Sequence, residues 1–143
     1  MTITIIGTIK QGSSISLPLY ANLVPAGFPS PAQDCIEPPI SLDELLGLKC
    51  PHIYLVRAHG ESMIQAGIHD KDILIVDRSL PVKEGMVVIA ALNGEPLVKV
   101  FNRIDGCIVL ESRNPRFPSY RVSEGDELTT WGAVTHSIRS HVR

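Results

Sequence analysis

Two residue types in this chain can do covalent chemistry together. Ser62 stands in Gly60-Glu61-Ser62-Met63, and Lys99 in Leu97-Val98-Lys99-Val100-Phe101. A serine hydroxyl is a poor nucleophile until a base takes its proton. Lysine serves as that base only when neutral, and apolar surroundings favour the neutral amine because desolvation penalises the ammonium. Serine–lysine pairs are one of the known variants of the serine–histidine–aspartate solution. Each residue also has an ordinary structural reading. Ser62 follows a strand pattern and a glycine and precedes Met63-Ile64, a setting in which serine caps a helix. Lys99 alternates with Val98 and Val100, as a lysine on the solvated face of a strand does. The catalytic reading uses the same local geometry. A serine at the start of a short helix has unspent backbone amides beside it, and those of Glu61 and Ser62 are candidates to hold a developing oxyanion.

The remaining polar residues point elsewhere. His59, three residues before Ser62, is a rival base, but no carboxylate near it in sequence is placed to orient it. Asp70, Asp72 and Asp77 lie in one short stretch, yet the glycine and terminal glutamate of a calcium loop are missing, so a polar turn is the better reading. Three cysteines (Cys35, Cys50, Cys107) make an odd number without a CxxC pair, which argues against a disulfide framework or a zinc site. The histidines are scattered without ligand spacing, so no metal or cofactor is expected. A formal charge of −2 gives no global pull toward nucleic acid. The locally basic end, with Arg139, His141 and Arg143, reads as a solvated terminus.

The elements that must position Ser62 and Lys99 are strands. A chain of 143 residues with 44% hydrophobic and 20% charged residues suggests one soluble domain with a real core. Met1 to Lys10 alternates weakly, as a short strand would. From Gln11 to Pro39 prolines recur, which withholds amide donors and favours extended backbone. This stretch reads as an arm. Leu17, Leu19, Tyr20, Leu23, Val24 and Phe28 suggest that it lies on a surface rather than serving as a bare linker. Ser41-Leu42-Asp43-Glu44 has the form of a capping box, with the Ser41 hydroxyl on the Glu44 amide, and a helix is expected over Leu42 to Leu48, ended by Pro51. Strands are expected at His52–Ala58, Asp72–Asp77, Met86–Leu92, Leu97–Asn102, Cys107–Glu111, Tyr120–Val122 and Leu128–Ile138. Asn93-Gly94 and Asp105-Gly106 supply hairpin turns. The expected fold is all-β, a compact barrel or sandwich with an extended N-terminal arm and one short helix. The expected division is an arm over 1–38 and a β-rich domain over 39–143. The longest apolar run, Met86 to Leu92, is far short of the ~18 residues of a membrane helix. The N-terminus lacks the basic start and cleavage site of a signal peptide, so a cytoplasmic protein with no membrane contact is expected.

Gly60-Glu61-Ser62-Met63, then Gly67-Ile68-His69-Asp70-Lys71-Asp72-Ile73-Leu74-Ile75-Val76-Asp77, then Val98-Lys99 together resemble the self-cleaving LexA/UmuD proteins. The spacing from the serine to the lysine fits as well. Within that family the likeness is strongest to the UmuD-type, MucA-like mutagenesis proteins, and it runs from about Leu17 to His136. Ala26-Gly27-Phe28-Pro29-Ser30-Pro31-Ala32 resembles their cleavage region.

The resemblance implies a LexA-type peptidase fold, a Ser62/Lys99 dyad and a scissile bond between Ala26 and Gly27. Small residues on both sides of that bond suit close approach of backbone to the nucleophile. It further implies a homodimer, activation of self-cleavage by a RecA filament on single-stranded DNA, and partnership with a UmuC-type Y-family polymerase in error-prone synthesis during the SOS response. The residues before Gly27 lack the helical pattern of a helix-turn-helix, so sequence-specific DNA binding is not expected. The alternatives are a non-catalytic β scaffold that binds a polymerase, a phage-repressor-like or LexA-like protease, and a signal-peptidase-like enzyme.

Overall fold

The computed structural model describes residues 1–8, 16–17 and 40–142. Met1–Ile9 with His52–Arg143 form one compact unit, and Lys10–Pro51 form a second. In the second unit, β2 (Ser16–Leu17) pairs antiparallel with β3 (Ile40–Ser41). The helix α1 follows at Leu42–Leu45, shorter than the expected Leu42 to Leu48. Its cap also differs: the Ser41 hydroxyl accepts from the Asp43 amide at 3.2 Å, not from Glu44. The chain turns at Leu46, whose amide still reaches back to Leu42, and the left-handed Gly47 (φ 65°) ends the coil well before Pro51.

The first unit is a single eight-stranded antiparallel sheet. Its strands are β1 (Thr2–Thr8), β4 (Ile53–His59), β5 (Ile73–Asp77), β6 (Val87–Leu92), β7 (Glu95–Ile104), β8 (Cys107–Glu111), β9 (Tyr120–Arg121) and β10 (Leu128–Ile138), in the order β1-β4-β5-β10-β6-β7-β8-β9. The all-β class expected from the strand and turn pattern is the class observed, with one curled sheet as its specific form. Both expected hairpin turns are present. Asn93-Gly94 and Asp105-Gly106 all carry positive φ, from 52° to 82°, the geometry that a two-residue turn with matching twist requires.

The curl comes from β10, which serves both halves of the sheet. It pairs with β5 along one edge and β6 along the other, with a register break at each: Val134/His136 against β5 and Thr130/Gly132 against β6. Bulges bend the strand that carries them and increase its twist. The curl brings the edge strand β1 round to β7, where the Val98 amide donates to the Met1 carbonyl at 3.2 Å. The interior divides between the two faces of the sheet. Val56, Ala58, Met63, Leu74, Val76, Ile89, Val98 and Val100 pack in one cluster, and Val88, Ala90, Phe101 and Leu110 in the other. Successive residues of β6 thus enter opposite clusters, which is why its sequence is apolar throughout.

Gly132 marks the tightest point of the bend. Its φ is 149°, and a Cβ there would sit 2.7 Å from Val76 Cγ1 and 2.9 Å from the Asp77 carbonyl oxygen. The second contact is backbone and cannot swing away. Gly132→Ala is expected to destabilise the fold by about 2 kcal/mol through overpacking and an unfavourable backbone. A urea midpoint equal to that of the parent protein would show that β10 accommodates a side chain there.

Candidate active site

The turn that carries Ser62 is built from both directions. β4 ends at His59, and Gly60 reverses the chain with φ 101°. The Gly60 amide donates to the Asp70 carboxylate at 2.8 Å, so the loop before β5 holds the turn in place. A single 3₁₀ turn follows at Ile64–Ala66, closed by left-handed Gly67. Its N-cap is Met63, with no side-chain cap, so Ser62 is not spent on the capping role that its position suggests. Met63 is fully buried in the core and anchors the turn from within, leaving Ser62 only 1% exposed beside it.

Lys99 reaches this turn from β7. Strand alternation sends Val98 and Val100 into one core cluster and Lys99 to the other side of the strand. Its Nζ lies 3.3 Å from Ser62 Oγ and 2.8 Å from Ser112 Oγ. The solvated-face reading of Lys99 is therefore not what the chain adopts: the side chain is half-buried and points at a hydroxyl pair. Burial pushes its pKa below the ordinary lysine value, offset in part by a hydrogen bond with the Met1 amino group. That amino group is itself pushed down to about 6, first by burial and then by the neighbouring Lys99.

One short segment after β8 ties both groups together. The Arg113 amide donates to the Ser62 carbonyl at 2.8 Å, and the Gln65 amide to the Arg113 carbonyl at 2.8 Å. The Asn114 side-chain amide donates to the Glu61 carbonyl at 2.9 Å. Among the described residues, neither the Glu61 nor the Ser62 amide donates a hydrogen bond, so both N–H groups remain unspent beside Ser62.

The other residues singled out by sequence sort clearly. His59 Nε2 meets Thr4 Oγ1 of β1 at 2.8 Å. Ala26 and Gly27 lie outside the described residues, as does Cys35; Cys50 and Cys107 are free thiols. Asp70 and Asp72 are more than a polar turn. Asp70 holds Gly60, and Asp72 is 1% exposed and pairs with Arg139 at 3.0 Å. The reading of Arg139 as part of a solvated terminus is thereby corrected. Ser112 and Asn114, which sequence reasoning passed over, have no local signal. Only the pairing of β7 with β8 brings them to the site.

Chemically, the arrangement offers a sheltered hydroxyl, an amine whose pKa burial lowers, and two amides beside the hydroxyl. Among the described residues, no helix is long and apolar enough to cross a membrane. The family model described as Peptidase S24-like matches residues 18–135. The chain is 38% identical to protein MucA of Salmonella typhimurium over 128 residues, covering 88% of this chain and 86% of MucA. It is 37% identical to protein ImpA of Salmonella typhimurium over 122 residues, covering 85% and 82% of the two. A LexA repressor of Leptospira interrogans is 33% identical over 115 residues, 76% of this chain but 57% of that longer protein. With its Ser62 and Lys99 side chains 3.3 Å apart inside the matched region, the chain belongs to the S24-like peptidase family.

Proposed function

We propose that this protein is a self-cleaving serine peptidase of the UmuD type, acting in SOS mutagenesis. The observation that carries the reading is the half-buried Lys99 amine 3.3 Å from the Ser62 hydroxyl. Neutral Lys99 takes the Ser62 proton, and the serine oxygen attacks the carbonyl of Ala26. The Glu61 and Ser62 amides receive the oxyanion. Lys99 then protonates the departing Gly27 amine, and water releases the acyl-enzyme. The substrate is part of the same chain, so the attack gains from high effective concentration.

A RecA filament on single-stranded DNA accelerates the reaction by favouring the competent arrangement, without contributing a catalytic group. The product, from Gly27 onward, forms a homodimer in the cytoplasm and acts with a UmuC-type Y-family polymerase in error-prone translesion synthesis. These partners follow from likeness to UmuD-type proteins.

The test is intact-mass measurement after incubation with RecA, ATP and single-stranded DNA. The parent protein is expected to convert to a fragment beginning at Gly27, and Ser62→Ala to remain whole. Cleavage of Ser62→Ala at the parent rate would remove the serine from the mechanism. A fragment beginning elsewhere would move the scissile bond.

A further inference from the structure

We propose that Ser112 is a positioning residue that aims the Lys99 amine at Ser62, a role resting on the peptidase reading above. In the pairing of β7 with β8, Val100 lies opposite Glu111 and Phe101 opposite Leu110. One step further along that register sets Ser112 opposite Lys99, on the same face of the sheet. The Ser112 hydroxyl is the shorter of the two contacts that Lys99 makes with serines, 2.8 Å against 3.3 Å.

The direction of the hydrogen bonds fixes the role. A serine hydroxyl has one proton to give. Ser112 Oγ gives its proton to the Pro118 carbonyl at 3.1 Å, so toward Lys99 it presents only lone pairs. Lys99 must therefore donate an N–H to it. A neutral amine has two N–H groups and one lone pair. With one N–H held by Ser112, rotation about the Cε–Nζ bond is pinned, and the lone pair and second N–H are left for Ser62 and the Met1 amino group. Without Ser112 the amine turns freely and its lone pair points at Ser62 only part of the time. Ser112 is itself held in place, because its amide donates to Ser119 Oγ at 3.2 Å. The segment that fastens the nucleophile through Arg113 and Asn114 thus also aims the base.

Ser112 is argued to act on orientation, which predicts a distinctive pH profile. The titratable group facing Lys99 from just before β1 is the Met1 amino group, pushed down to about 6 and so mostly neutral through the alkaline range. On the Ser112 side, Glu111 and Arg113 pair with each other at 3.3 Å. The alkaline limb of self-cleavage therefore belongs to Lys99. A residue that only tuned the Lys99 pKa would move that limb sideways. A residue that aims the amine lowers the plateau reached once Lys99 is fully neutral.

The experiment measures the rate of self-cleavage of the full chain against pH, without activator, for the parent, Ser112→Ala, Ser112→Thr and Ser112→Val. Thr and Val share a shape and differ by the hydroxyl, so this pair keeps the test sound even where Ala disturbs folding. The expected result is a plateau lowered by about tenfold or more in Ala and Val, and largely restored in Thr. Equal plateaus for Val and Thr, or a displaced limb with an unchanged plateau, would overturn the assignment. Ser62→Ala run alongside separates the two levels: if it still cleaves, the peptidase reading fails, whereas normal cleavage by Ser112→Val alone removes only the positioning role.

Discussion

Without any activator, self-cleavage is expected to rise about tenfold per pH unit from near neutrality and then level off. The base must be neutral to accept the Ser62 proton. While Lys99 is mostly protonated, each unit of pH multiplies its neutral fraction about tenfold, so the rate climbs with the same slope. Burial holds the Lys99 pKa below the ordinary value of 10.5, so the plateau should begin at lower pH than an exposed lysine would allow. Lys99→Arg is the sharper form of this test. A guanidinium stays charged throughout the accessible range, so it keeps the positive charge and cannot serve as base. The variant is expected to lose about a thousandfold or more in rate at every pH, with its fold retained. A flat rate for the parent protein between about pH 7 and about pH 10, or activity surviving in Lys99→Arg, would show that another group takes the proton.

The candidate pair was legible through the resemblance to the LexA/UmuD proteins, since Ser62 and Lys99 taken singly each fit an ordinary structural role as well. Ser62 follows a strand and a positive-φ glycine, and Lys99 sits between two valines of a strand that the Asn93-Gly94 turn folds back. The strands and hairpins could be read directly, since alternation and turn chemistry are local properties. The supporting contacts were not legible, because each joins residues far apart along the chain through sheet pairing or side-chain length. Asn114 meets Glu61 across 53 positions, and Arg139 meets Asp72 across 67. From composition alone Arg139 is indistinguishable from its solvated neighbours. Ser112 lies just past the end of β8, where a serine reads as punctuation. Only the register with β7 turns it into a partner for Lys99. The cap of α1 failed differently: the Ser41 hydroxyl could reach either of two amides, and the sequence motif does not choose between Asp43 and Glu44.

The largest stability effect should come from Arg139→Ala. Asp72 is 1% exposed, and it accepts from Arg139 Nε and Nη2 at 3.0 Å each and from the His69 amide at 2.9 Å. Arg139 also donates to the Gly67 carbonyl at 2.8 Å and touches the His69 ring. Removing the guanidinium leaves a buried carboxylate with one amide donor. Breaking a buried pair in this way costs about 3–5 kcal/mol, and the solvent-facing side of Arg139 reduces the expected loss to about 2–4 kcal/mol. Acid titration distinguishes this cause from lost packing. Burial alone would raise the Asp72 pKa, but the Arg139 bonds and the His69 amide outweigh it and hold the carboxyl below its ordinary 3.8. A carboxyl depressed in the folded state contributes stability above its unfolded value, and loses it as pH falls through the lower folded value. The gap in unfolding free energy between parent and Arg139→Ala should therefore shrink as the pH falls from the variant's Asp72 value, which lies higher without the arginine, toward the parent's depressed one. A gap that stays constant into acid would assign the effect to the arginine's packing. The same loop carries Asp70, whose carboxylate holds the Gly60 amide, so loosening it should also slow self-cleavage by relaxing the turn before Ser62.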